Sequence, residues 1–162
     1  MGCNHSIVYK PDGTFQKILT IYPIFRKMKP FRNEIAIARR LMKYPCPHIV
    51  TIYKVTNEYI DMELLTDVGN NNYDQKAIEK AHRHFLKLGI VYVDWKPDNY
   101  GKDCKGNTKV FDFDGSGIFS YDSKKWVYSP PPWGAFLVAG TDRSPTEVDE
   151  YTFTKRFEIW EE

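Results

Sequence analysis

The sequence predicts an α+β fold of short antiparallel strands and a few amphipathic helices. Three observations carry this. Short apolar runs recur around turn signals, namely Pro11-Asp12-Gly13, Thr56-Asn57-Glu58 and a stretch holding Asp103, Gly106 and Asn107, as in β-hairpins. Two longer segments, 31–43 and 74–88, repeat apolar residues at helical spacing. At 162 residues and 42% apolar content, the chain can bury one real core or form two small lobes sharing a cleft.

The elements follow in order. Ile7–Lys10 and Thr14–Ile21 form the first hairpin; Lys17 interrupts the apolar residues Phe15, Ile18 and Tyr22, and alone reads as a solvated strand lysine. In the helix over 31–43, Phe31, Ile35, Ala38 and Leu41 share a face, Glu34 sits near the start and Pro45 closes it. Thr51–Val55 and Tyr59–Met62 make a second hairpin, and the polar Thr66–Tyr73 stretch is a loop. The helix over Asp74–Leu88 has Asp74 as N-cap, Ile78, Ala81, Phe85 and Leu88 on one face, and Gly89 as its stop. His82 and His84 point to different sides of it, so they make a poor metal pair and read as surface or packing residues. Ile90–Val93 and Lys109–Phe113 read as the strands of a third hairpin. After Gly117 the chain reads as loop, through Ser129-Pro130-Pro131-Pro132-Trp133, until helical periodicity returns over 147–160.

Composition narrows the function. A net charge of +2 is too small to argue for a nucleic-acid partner. Cys3, Cys46 and Cys104 are odd in number and scattered, which suggests neither a disulfide framework nor a zinc site and fits a reducing, cytoplasmic compartment. No run approaches the length of a transmembrane helix. The opening Met-Gly-Cys-Asn-His-Ser matches the N-myristoylation pattern at Gly2, with Cys3 open to palmitate, so membrane association is expected only if Gly2 and Cys3 are acylated.

The chemistry concentrates in residues 90–117. A hairpin brings its outer ends together, so Asp94, Asn99 and Asp112 can meet at one rim. Two carboxylates and an amide oxygen are hard ligands suited to Mg²⁺, which binds a few protein oxygens together with substrate phosphates. Lys96 adds a cation where a transferring phosphate would develop charge. Asp112-Phe113-Asp114-Gly115-Ser116-Gly117 also opens like an EF-hand loop. The closing bidentate Glu is missing, however: Ser123 holds that position and no helix pattern precedes the loop. An acidic surface hairpin is the bland alternative.

This stretch resembles the catalytic core of the protein kinases, whose loop H-R-D-L-x-x-x-N is followed by D-F-G. By that resemblance Asp94 is the catalytic base, Lys96 the loop lysine of many Ser/Thr kinases, and Asn99 and Asp112 the metal ligands. The likeness is collinear along the chain. Lys17 and Glu34 are placed like the kinase strand Lys and αC Glu, whose ion pair positions the phosphates. Met62 falls at the gatekeeper position, and the backbones of Glu63 and Leu65 would meet adenine as a hinge, with a plain strand end as an equal reading. Asp149 matches the αF Asp that binds the catalytic-loop backbone. The resemblance implies an N-lobe over 1–65 and a reduced C-lobe over 66–162, with catalytic loop 92–99, metal motif 112–114 and an αF-like helix over 147–160. Gly2–Ser6 would then be a remnant of the Gly-rich loop, which competes with the acylation reading. Tyr92 and Val93 depart from His-Arg, and Asp114 departs from the Gly of D-F-G.

The resemblance implies ATP and Mg²⁺ as cofactors and a minimal kinase acting on Ser/Thr of a protein substrate. A pseudokinase that docks a protein partner and a kinase-fold small-molecule phosphotransferase are the alternatives. Because no Arg precedes Asp94, Ala or phosphomimetic changes at Ser116, Ser120 and Ser129 are expected to leave any activity unchanged.

Overall fold

The structure, a computed structural model, describes residues 5–19, 31–69, 72–131 and 143–160. Gly2, Cys3 and most of Gly2–Ser6, the stretch expected to be a loop remnant, lie outside the described residues, as do 20–21 of the expected second strand and Pro132-Trp133.

The first layer is a four-stranded antiparallel sheet. It holds β1 (His5–Tyr9), β2 (Thr14–Leu19), β3 (Ile52–Val55) and β4 (Tyr59–Glu63) in the order β1-β2-β4-β3. The β1–β2 turn is built as its residues dictate. Gly13 takes φ +83°, and Asp12 accepts from the Thr14 amide at 3.0 Å and the Thr14 hydroxyl at 2.6 Å. The strand period of two then puts Phe15, Lys17 and Leu19 together on the buried face of β2. Lys17 is therefore a cation on an apolar face, not the solvated strand lysine its type suggests. Helix α1 (Arg32–Lys43) packs beside β3 and buries Glu34, Ile37, Ala38 and Leu41.

Helix α2 (Gln75–Lys87) starts as expected, with the Asp74 carboxylate accepting from the Lys76 amide, and stops at Gly89, whose φ is +70°. Two three-stranded sheets follow: β5 (Thr66–Asp67), β7 (Tyr100–Lys102) and β8 (Thr108–Val110) in the order β5-β7-β8, and β6 (Ile90–Val91), β9 (Gly117–Ser120) and β10 (Lys125–Tyr128) in the order β10-β9-β6. Helices α3 (Pro145–Thr154) and α4 (Arg156–Trp160) close the described chain, α3 beginning with a capping box between Ser144 and Glu147.

Two local readings are corrected. The strands around the Asp103–Asn107 turn are Tyr100–Lys102 and Thr108–Val110, not Ile90–Val93 and Lys109–Phe113. Ile90 and Val91 instead pair with Ile118 and Gly117, because Pro97 starts a 3₁₀ turn over Pro97–Asn99 that breaks the run after Val93. The stretch after Gly117 is a hairpin, β9–β10, rather than loop. Its turn runs through Lys124 at φ +58° with neither Gly nor Asn there, so the usual turn signal is missing.

A continuous apolar cluster joins these layers. It runs from Phe15, Ile37 and Met62 beside the first sheet to Ile78, Phe85, Tyr92, Trp95 and Phe113 around α2. The Phe85 and Tyr92 rings stack at 5.2 Å, and Trp95 packs against both. The main chain is stitched across it, with the Val50 amide donating to the Val110 carbonyl at 2.9 Å and the Val110 amide to the His48 carbonyl at 3.0 Å.

Candidate functional site

Lys17 is the centre of the site. Its ammonium contacts the Glu34 carboxylate and lies 3.4 Å from Asp112 Oδ1. Burial works against the charge, yet Glu34 and Asp112 together hold its pKa well above the ordinary lysine value. Glu34 is 3% exposed, and loss of water pushes its pKa up while Lys17 pulls it down. Its second oxygen, Oε2, is buried with no hydrogen-bond partner. Asp112 moves the other way: burial disfavours its charge, but Lys17 and hydrogen bonding from Asp114 keep its pKa below the ordinary value.

These three groups line an open cleft of ≈ 180 Å³, whose remaining walls are largely apolar: Ile7, Phe15, Met62, Leu65, Phe111 and Phe113. A largely apolar cleft that also holds a paired cation suits a ligand with an apolar body and an anionic tail. Met62 and Leu65, two of the sequence-predicted site residues, line this cleft. Glu63 faces elsewhere. Its amide donates to the Thr51 carbonyl at 3.0 Å, and its carboxylate takes the buried Lys109 ammonium at 2.5 Å. That ammonium also lies 3.6 Å from Asp103. Lys109 was invisible as an interior ion in the sequence, since it reads there as an ordinary strand lysine.

Asp94, Lys96 and Asn99 form a second group. The Asn99 amide nitrogen donates to the Asp94 carbonyl and to Asp94 Oδ2, each at 2.9 Å, which leaves the Asn99 amide oxygen available to a ligand. Lys96 Nζ lies 3.7 Å from Asp94 Oδ1. Burial raises the Asp94 pKa, and Lys96 and Asn99 offset part of that rise. The two groups are tied through the backbone, the Phe111 amide donating to the Asn99 carbonyl at 3.0 Å. Both loops carry strained residues beside their carboxylates. Val93 has φ +75°, costly for a β-branched side chain, and Asp112 has φ +66°. Strain at these two points re-aims the chain to turn Asp94 and Asp112 as observed, and the aromatic cluster beneath holds it there.

Asp114 is the departure with consequences. Burial, and then the Asp112 charge beside it, push its pKa up to about 7. Among the described residues no group of three His, Cys, Asp or Glu side chains could hold a metal ion. Asp149 differs from its expected placement: its Oδ2 meets His82 Nε2 at 2.7 Å, and its Oδ1 is buried without a partner. His82 stacks on Phe153 at 3.8 Å, so α3 packs on α2 through this pair. His84 turns away to the Tyr44 carbonyl at 2.7 Å.

No protein-family model matches the sequence, and no curated protein matches it. Solved structures do match. One is a chain of the CAK complex from Chaetomium thermophilum bound to ATP-gamma-S, with TM-score 0.57 and 14% identity, covering 77% of this chain and 47% of that one. The fold is kinase-like. The chain spans just under half the length of that solved chain, and at this identity the likeness is one of fold alone.

Proposed function

We propose that the chain binds Mg-ATP in the Lys17 cleft and transfers the γ-phosphate to a Ser or Thr hydroxyl of a protein. The observation that carries this is the buried Lys17, gripped by Glu34 and Asp112 in a largely apolar cleft. In this reading 1–65 acts as an N-lobe and 66–162 as a reduced C-lobe, with the cleft between them.

The adenine lies among Ile7, Phe15, Met62, Leu65 and Phe111, and contacts the chain through the Leu65 backbone and the Glu63 carbonyl, the Glu63 amide being taken by Thr51. Lys17, oriented by Glu34, binds phosphate oxygens as a fixed cation. Asp94, with its pKa raised, orients the acceptor hydroxyl and takes its proton. Lys96, close to Asp94, stabilises the charge on the transferring group.

Asp112 and the free oxygen of Asn99 suit magnesium. They are hard ligands, and two protein oxygens are few enough for an ion that keeps water and phosphates in its shell. When bound, the ion neutralises phosphate charge.

A pseudokinase that docks a protein partner is the second reading, favoured by Asp114, which adds a carboxylate beside the phosphate site. Thermal unfolding with and without Mg-ATP, on wild type, Lys17→Ala and Asp112→Asn, separates the two. Mg-ATP at a hundredfold excess over its dissociation constant stabilises wild type by about 2.7 kcal/mol, roughly 5–10 °C. Absence of any shift in wild type abandons ATP-dependent transfer. A shift accompanied by labelled phosphate on a generic protein substrate, and none on small hydroxyl compounds, supports the protein kinase over a small-molecule phosphotransferase.

A further inference from the structure

Asn33 is the second residue of α1, next to Glu34. Its side-chain amide nitrogen donates to the Ser116 carbonyl at 3.0 Å and to the Ser129 carbonyl at 2.8 Å. Two carbonyl acceptors leave only one orientation of the amide, with both NH₂ protons engaged. Both acceptors are main-chain atoms far along the sequence, one on each side of the β9–β10 hairpin.

Those carbonyls flank a tight crossing. A Cβ on Gly117 would sit 2.6 Å from Pro130 Cδ and 2.7 Å from the Tyr128 carbonyl oxygen, so the chain leaving β10 lies directly on the start of β9. Ser116 is fully buried and donates its hydroxyl to the Tyr92 carbonyl at 2.9 Å, and its amide bonds the Phe113 carbonyl at 3.1 Å. Asn33 therefore grips a rigid knot, and that knot ends the loop that carries Asp112.

The grip has few substitutes. The N-terminus of α1 has no side-chain cap hydrogen bond of its own. Arg32 adds a contact in the same turn, its guanidinium 4.8 Å from the centre of the Tyr128 ring. Toward the far end, Arg40 donates to the Leu88 carbonyl at 2.5 Å. Glu34 stands between these two tethers, on the face turned to Lys17.

We propose that Asn33 is a positioning residue: its amide staples the helix bearing Glu34 to the loop bearing Asp112, so the two carboxylates around Lys17 are set without any modification of segment 116–129. This rests on the reading of Lys17 as the phosphate-binding cation. The staple acts through geometry, since neither Asn33 nor its acceptors line the cleft.

The test uses Asn33→Asp and Asn33→Ala in the full chain. Asn33→Asp keeps size and shape but turns a donor into a carboxylate facing two carbonyl oxygens. A carboxylate in the first helical turn favours the helix itself, so this variant separates helix stability from the staple. Two readouts are taken: the ¹³C resonance of the Glu34 carboxyl without nucleotide, assigned with Glu34→Gln, and calorimetric affinity for Mg-ATP. Asn33→Asp is expected to move the Glu34 resonance and to weaken Mg-ATP binding about five- to tenfold, the scale of one or two hydrogen bonds. Asn33→Ala falls between it and wild type, the reverse of the order that side-chain packing alone would give. An unmoved Glu34 resonance in both variants overturns the staple. If wild type binds no Mg-ATP, the phosphotransfer reading fails, and the Glu34 resonance alone still decides for or against the staple.

Discussion

Replacing Lys17 by Met keeps most of its volume and removes its charge, which isolates the central electrostatic claim. The carboxylate left behind, Glu34, is 3% exposed, and one of its oxygens already lacks a partner. Breaking a buried pair from one side costs about 3–5 kcal/mol. The lost contact to Asp112 adds at most about 1 kcal/mol, because Asp112 is 28% exposed and water screens it. The sum, about 3–6 kcal/mol, is a large share of the roughly 5–15 kcal/mol that holds a domain folded, and corresponds to a melting temperature lower by about 6–24 °C. Its pH dependence has a definite sign. Burial holds the pKa of Glu34 above the ordinary 4.5 even with Lys17 present, and it rises further without that cation. Between 4.5 and the raised value the folded state binds more protons than the unfolded state, so stability falls as pH rises through that window. The Lys17→Met deficit is therefore smaller at pH 5 than at pH 8, and adding Glu34→Gln recovers most of it and flattens the profile. Urea unfolding followed by circular dichroism at both pH values measures this. A deficit under 1 kcal/mol at pH 8, or a double variant no more stable than Lys17→Met alone, refutes the reasoning.

Three further outcomes are expected. In magnesium-free buffer Asp114→Asn stabilises the protein, by an amount that grows from pH 4 to about 7 and then levels off; its folded pKa is raised, so wild type loses stability as pH rises through that range. Partial exposure limits the gain to about 1–2 kcal/mol, and a pH-independent difference in urea midpoints would argue against it. Gly117→Ala costs about 1–3 kcal/mol, because the new methyl meets the Tyr128 carbonyl and Pro130, and the same urea titration detects it. Ser129→Asp, at an exposed side chain, leaves stability within about 0.5 kcal/mol, whereas Ser116→Asp buries an unpaired charge and costs several kcal/mol by thermal unfolding. Because Ser116 is fully buried, a phosphomimetic change there acts on stability, which the expectation of unchanged activity at Ser116, Ser120 and Ser129 did not take into account.

Local signals were legible where a side chain acts on its own backbone. Asp74 caps α2, Gly89 ends it, and Asp12 with Gly13 closes the first hairpin, as their types dictate. The third hairpin was misread because apolar alternation does not say which run pairs with which, and Ile90 found Ile118 instead of a partner across the nearest turn. The β9–β10 hairpin went unseen because Lys124 adopts a left-handed turn conformation that sequence rules reserve for Gly or Asn.

For the site, residue types and their order along the chain determined by themselves which polar groups the protein owns: Lys17 on β2, Glu34 on α1, and Asp94, Lys96, Asn99 and Asp112 in the turns and irregular segments between strands. Only the tertiary structure decided which charge faces which. Lys17 lies between two carboxylates, Glu63 turns to Lys109 rather than to the cleft, Asp149 meets His82, and Asn33 holds two distant carbonyls. The reason is physical. Helix and strand periods act over a few neighbouring residues, whereas a buried ion or amide must find its partner wherever packing has excluded water, and that location is set by the whole fold.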